Sequence, residues 1–143
     1  MWKIANRNFP YLTETSVLFA VAITFLNDHY FKYQYPGFIV GKLSDFAGIY
    51  YAPFFMYALI SFFKNPVKNH LRLQPYFFLA SVLIVDFLFV VLKVTDLRIW
   101  FVDFFSRYFF RIKIVQDWTD LFALAMNCPT YLVARKYFIT ESV

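Results

Sequence analysis

Four long apolar runs divide this chain, and polar residues gather where the runs begin and end. The first run covers about 11–27. Its V-L-F-A-V-A-I-T-F-L core is uncharged, Glu14 is its one charge, and N-D-H at Asn27–His29 closes it. The second covers about 42–63. Phe46 to Phe63 carries no charge, and Pro53 inside it is a kink that membrane helices tolerate. The third, about 75–94, has Asp86 near its middle and leaves through Lys93, Asp96 and Arg98. The fourth, about 118–136, opens with Q-D-W-T-D, contains Pro129 and closes on Arg135 and Lys136. Runs of this length predict helices that cross a bilayer.

Between the third and fourth runs the pattern changes. Asp103, Arg107 and Arg111 recur every four residues among Trp100, Phe104 and Tyr108. This spacing predicts an amphipathic helix over about 99–113 lying at the membrane surface, with a short re-entrant span as the alternative. Two connectors stand out: aromatic Tyr30–Gly37, ending in the turn signal Pro36-Gly37, and polar Lys64–Gln74. The expected fold is all-α: one domain over 1–143, an integral membrane bundle of four transmembrane helices plus one interfacial amphipathic helix.

Composition agrees. Hydrophobic residues make up 61% and charged residues 16%, against about 45–50% and about 25% in ordinary soluble domains. A soluble chain of this size could not hide that much apolar surface. The net charge of +5 comes from Lys and Arg clustered at the ends of the runs, where they orient a membrane protein, so nucleic acid is not an expected partner. Membrane lipids are, and a membrane-protein partner or a second copy would fit. Met1–Arg7 is basic, as in a signal peptide, and Ala20–Ala22 resembles a cleavage site; the apolar run continues past it, which predicts an uncleaved anchor. The lone Cys128 can form no intrachain disulfide.

Four crossings place seven Lys and Arg on each side. The side holding both termini carries its bases almost without acids. This orients both termini towards the cytoplasm, in a bacterial cytoplasmic membrane. Under either orientation the exits of runs one and three and the starts of runs two and four meet one face. Six acids gather there with His29, Lys42 and Lys93.

Each acid has a structural explanation beside a functional one. Asp117 and Asp120 suit the start of a helix, as does Asp45, which Lys42 could pair with at i,i+3. Asp28 and Asp96 lie at helix C-termini, where the dipole disfavours an anion. They need compensation, and Lys42, Lys93 and Arg98 are the cations considered. Asp86 is the most expensive residue, because a mid-bilayer charge costs about 2.5–3.5 kcal/mol on insertion scales. Asn127 falls at a similar depth, so a contact with a protonated Asp86 is expected; an intramembrane relay is the functional alternative. His29 beside Asp28 could act as a general base or ligate a metal. Zinc spacing is lacking, and oxygen ligands would favour Mg²⁺, Ca²⁺ or Mn²⁺.

The order N-D-H (Asn27–His29), G-K-L-S-D-F-A-G (Gly41–Gly48) and D-W-T-D (Asp117–Asp120) resembles a pattern in small uncharacterised bacterial multi-pass membrane proteins. That resemblance implies a small helical membrane protein and transfers no activity. The chain is also similar to VanZ-like membrane proteins, small helical bundles with an Asp/Lys/His motif near one interface. It departs from their pattern: Lys42-x-x-Asp45 reverses the Asp–Lys order, and Asp120 and Asn127 stand far apart.

The expected function is a polar interfacial pocket that binds or processes a lipid headgroup or another anionic amphiphile. Asp28, His29, Lys42 and Asp45 would carry catalysis, and Asp96, Asp117, Asp120 and Asn127 would bind ligand. The alternatives are a non-enzymatic small subunit or partner-binding protein whose charges lock the bundle, and a proton path through Asp86.

Overall fold

The computed structural model describes residues 9–64, 73–108 and 116–138. The N-terminal basic residues, the connector with Lys68, His70 and Arg72, and Arg111 and Lys113 lie outside the described residues. Within them the chain is helical and has no β-strand. An isolated bridge joins Leu73 to Phe138.

Helix α1 (Thr15–Leu26) does not stop at N-D-H. It widens into a π-helical turn over Asn27–Phe31 and runs on through α2 (Lys32–Gln34). The end of the apolar run at N-D-H predicts a boundary there. The boundary falls later, where Tyr35 precedes Pro36 and takes a non-helical conformation, as the clash with a proline ring requires. Helix α3 (Phe38–Lys64) then starts about four residues earlier than its hydrophobic run suggested. Lys42 and Asp45 therefore sit inside the helix, so the capping explanation for Asp45 is withdrawn. At 27 residues α3 is about 40 Å long. Pro53, within it, cannot bond the carbonyl of Ile49; next to that gap Thr130 Oγ1 donates to the Tyr50 carbonyl at 3.0 Å.

Helix α4 (Pro75–Val94) opens on its proline, where a missing N–H leaves no bond unmade. Helix α5 (Leu97–Tyr108) follows after a tight turn. The final run is a 3₁₀ helix over Trp118–Met126, then α6 (Asn127–Ala134), then a last 3₁₀ turn over Arg135–Tyr137. Pro129 lies in the first turn of α6.

The core is aromatic at one end. Phe54 of α3 stacks on Tyr11, with centroids 6.4 Å apart, and packs on Phe78 of α4 at 5.2 Å. The backbone closes this end, with Leu73 N–H donating to the Tyr137 carbonyl at 2.7 Å. Glu14 binds Lys136 at 2.9 Å and accepts from the Tyr137 hydroxyl, so the start of α1 and the end of α6 lie together. Nearer the other end Ile49, Val85 and Ala123 form a smaller core.

The outer surface is greasy: Phe19, Phe63, Tyr76, Phe87 and Phe122 are all exposed. Helices α3 and α4 are each long and apolar enough to cross a membrane, and most of their surface faces outward. This supports membrane association.

Phe54→Ala is expected to cost about 3 kcal/mol, since it empties a fully closed aromatic site. The exposed Phe87→Ala should stay within about 0.5 kcal/mol. Thermal midpoints in one detergent decide this, and equal losses would refute the assigned core.

Candidate functional site

Three elements bring charges to the end of the bundle opposite the aromatic core. α3 supplies Lys42 and Asp45, α4 supplies Lys93, and the final run supplies Asp117 and Asp120. Asp120 stands between the two lysines. Its Oδ1 is 2.5 Å from Lys42 Nζ and its Oδ2 is 2.7 Å from Lys93 Nζ. Lys42 also reaches Asp117 at 2.9 Å and the Thr119 hydroxyl at 2.5 Å. Its three N–H donors thus have three acceptors. Lys93 takes Asp45 at 2.8 Å as its second partner. Lys42, Lys93 and Asp120 are only 9%, 8% and 5% exposed. Phe38 lies 4.8 Å from the Lys42 ammonium and Phe89 lies 5.7 Å from that of Lys93, at cation–π range.

The geometry of the final run explains how two acids reach one ammonium. In a 3₁₀ helix residues three apart eclipse. Asp120, Ala123 and Met126 accordingly line one face, turned inward, with Asp117 capping the helix by accepting from the Thr119 N–H at 2.9 Å. Capping and ion pairing here are one arrangement, which the sequence reading had set apart as alternatives.

The Lys42–Asp45 pair expected at i,i+3 is corrected: each residue faces a partner from another element. Asp28 is compensated by Lys32 at 2.6 Å and by the Ser44 hydroxyl at 2.6 Å, not by the three cations considered from the sequence. The signal was the i,i+4 spacing of Asp28 and Lys32, hidden by the assumed helix end. Asn27, fully buried, donates to the Val40 carbonyl at 2.8 Å and to Ser44 Oγ at 2.7 Å. Sequence reasoning gave Asn27, Lys32 and Thr119 no role.

Three other expected site residues are not brought to this cluster. His29 is exposed, lies over the Phe25 ring at 4.4 Å, and has Nδ1 3.1 Å from the Phe25 carbonyl. That carbonyl favours the proton on Nδ1, and the ring sits apart from the carboxylates. Asp96 is 84% exposed at its side chain and lies 3.8 Å from Arg98. Asn127 meets Asp86 at 2.7 Å, deeper in the bundle, and one oxygen of each has no partner.

Among the described residues no group of three His, Cys, Asp or Glu side chains is placed to hold a metal ion. Two cavities lie away from the charged cluster. One is a cleft of about 310 Å³ between α4 and α6; the other, about 170 Å³, lies along Trp100, Phe104 and Tyr108 of α5. No protein-family model matches the chain, and no curated protein or solved structure matches it.

The cluster's charges are spent on ion pairs among its own members. Ser44 is oriented by Asn27 and Asp28, but Asp28 already serves Lys32.

Hydrogen bonds from Thr119, then from Lys42, hold the Asp117 carboxyl well below the usual carboxylate range. A depressed folded-state value means that its stabilisation is present above about pH 4 and is lost as pH falls through lower values. Thermal midpoints from pH 7 to pH 2 should show an acid limb that is weaker in Asp117→Asn. The two proteins should differ most at neutral pH and converge in acid; parallel curves would remove Asp117 from the network.

Proposed function

We propose that this chain is a non-enzymatic integral membrane protein, a small subunit or partner-binding protein whose interfacial charges lock its helices together. The observation that carries this reading is Asp120 bridging Lys42 and Lys93, with all three buried. An enzyme built on these residues would need its carboxylates and lysines turned towards an open cleft. Here the lysines spend their donors inward, and His29 points elsewhere.

The same count bears on the competing pocket reading. Asp45, Asp117 and Asp120 face Lys42 and Lys93, three carboxylates against two ammoniums, while Asp28 and Lys32 cancel. An anionic headgroup would meet surplus negative charge. The partly open edges at Asp28, Asp45 and Asp117 favour a cationic or neutral visitor over an anionic one.

In this proposal α1 with its extension, α3, α4 and the final run each cross the bilayer, and α5 lies at its surface. The final run supports this by its length. Nine 3₁₀ residues, eight α-helical ones and three more 3₁₀ residues span about 36 Å, against a hydrocarbon thickness of about 30 Å. The meeting of Glu14 and Lys136 fits an even number of crossings, with both termini on one side, taken as the cytoplasmic side of a bacterial inner membrane.

Breaking a buried pair by removing one partner costs about 3–5 kcal/mol, whereas replacing the pair with apolar groups is often neutral. Asp120→Leu alone should therefore collapse protein levels in the membrane. The triple change Asp120→Leu, Lys42→Met, Lys93→Met should recover much of that loss. Recovery measured by membrane-fraction abundance and thermal midpoint supports the lock; normal abundance of Asp120→Leu refutes it.

A further inference from the structure

The cleft between α4 and α6 has a chemistry of its own. Phe78, Leu79 and Val82 form one wall; Cys128 and Tyr131 form the other. Its lining is almost wholly apolar, and the one amide in it, Asn127, is engaged by Asp86. Helices α4 and α6 run antiparallel here, since Asn127 meets Asp86 midway along α4 and Phe138 meets Leu73 just before its start. The cleft therefore begins at the end of the bundle that holds Pro75 and runs inward past Val82, about 10 Å by helical rise.

Phe138 packs on Phe78 at 6.0 Å and on Tyr131 at 5.7 Å at this end, and the nearest cation along the helix from the lining is Arg135. It follows Tyr131 by four residues, one turn further out on the same helix face. It is exposed and has no ion-pair partner among the described residues, whereas neighbouring Lys136 is held by Glu14. A short apolar slot on the outer surface, with a cation one helical turn beyond its lining, matches one ligand class.

We infer that this cleft is a phospholipid site: an acyl chain lies between α4 and α6, and its phosphate meets Arg135. The site rests on the membrane placement proposed above and is independent of the charged lock at the other end. Exposed Tyr76 beside the mouth adds an aromatic side chain suited to headgroup depth.

The test uses the full chain reconstituted in vesicles of equal phosphatidylcholine and phosphatidylglycerol, then released gently for native mass spectrometry. Wild type should retain the anionic lipid over the zwitterionic one by about fivefold, the effect of one well-placed basic residue. Arg135→Gln should abolish that preference and Arg135→Lys should keep it. Leu79→Trp, at an exposed wall position, should fill the cleft and reduce both retained lipids to background, with unchanged thermal midpoints showing that the bundle is intact. A preference surviving Arg135→Gln, or lipid surviving Leu79→Trp, would overturn the assignment. So would efficient Cys128–Cys128 crosslinking by copper–phenanthroline in the vesicles, which would put a second copy in the cleft. Recovery in the membrane fraction separates these outcomes from failure of the membrane reading itself.

Discussion

Asp120 accepts from two lysines at once, and the arrangement of the bundle depends on that shared carboxylate. Lys42 belongs to α3 and Lys93 to α4, so both contacts are made only when three elements have met. A buried ammonium without its carboxylate carries an uncompensated desolvation cost, while a complete set roughly balances it. The network thus adds little net stability when whole and a large penalty when incomplete. This asymmetry makes it a specificity device: helix rotations or registers that miss any partner are penalised strongly. Asp45 and Asp117 extend the same logic, each giving one lysine a further acceptor.

The remaining fastenings are different in kind. α1 is tied to α3 without net charge, through Asn27 to Val40 and Ser44 and through the Tyr50 hydroxyl to Ser16 at 2.7 Å. The widened turn at Asn27–Phe31 lets the helix pass its polar N-D-H without breaking, because Asn27 finds its acceptors on α3. At the far end stacked aromatics and a backbone bridge replace the ions. Apolar contact between helices has little hydrophobic driving force in lipid, so fit and hydrogen bonding must set register. Charged bonds at one rim and aromatic packing at the other fix both ends of each long helix.

Much of this arrangement was legible in the sequence. The positions of the apolar runs gave α3, α4 and the final helical run to within a few residues. Counting inward from Asp120 placed Asn127 level with Asp86, where the two do meet. The convergence of Lys42, Asp45, Lys93, Asp117 and Asp120 followed from which run ends share a side. Pairing among the rim charges was not legible. Lys42 and Asp45 look like partners because they are three apart, yet rotation of α3 against its neighbours sends them to different elements, and one chain carries no direct record of that rotation. G-K-L-S-D also read as a helix start because polar residues at the edge of a greasy run normally mark one. Lys42 is buried and Asp45 half-buried, both more than one turn inside a helix that begins at Phe38. The 3₁₀ geometry that aligns the acids of D-W-T-D has no distinct sequence period over so short a stretch.

Depth explains why the bundle treats its acids in two ways. Lys93 and Asp86 lie on the same helix, seven residues and about 10 Å apart. In the proposed placement the rim lies among water and headgroups, which raise the effective dielectric, and there acids are met by ammonium groups. At Asp86 the partner is a neutral amide instead. The cost of holding full charges grows towards the middle of a hydrocarbon layer. A soluble core offers no such axis, since its burial increases from every side. The change from ionic to neutral partners along α4 fits the proposed bilayer placement.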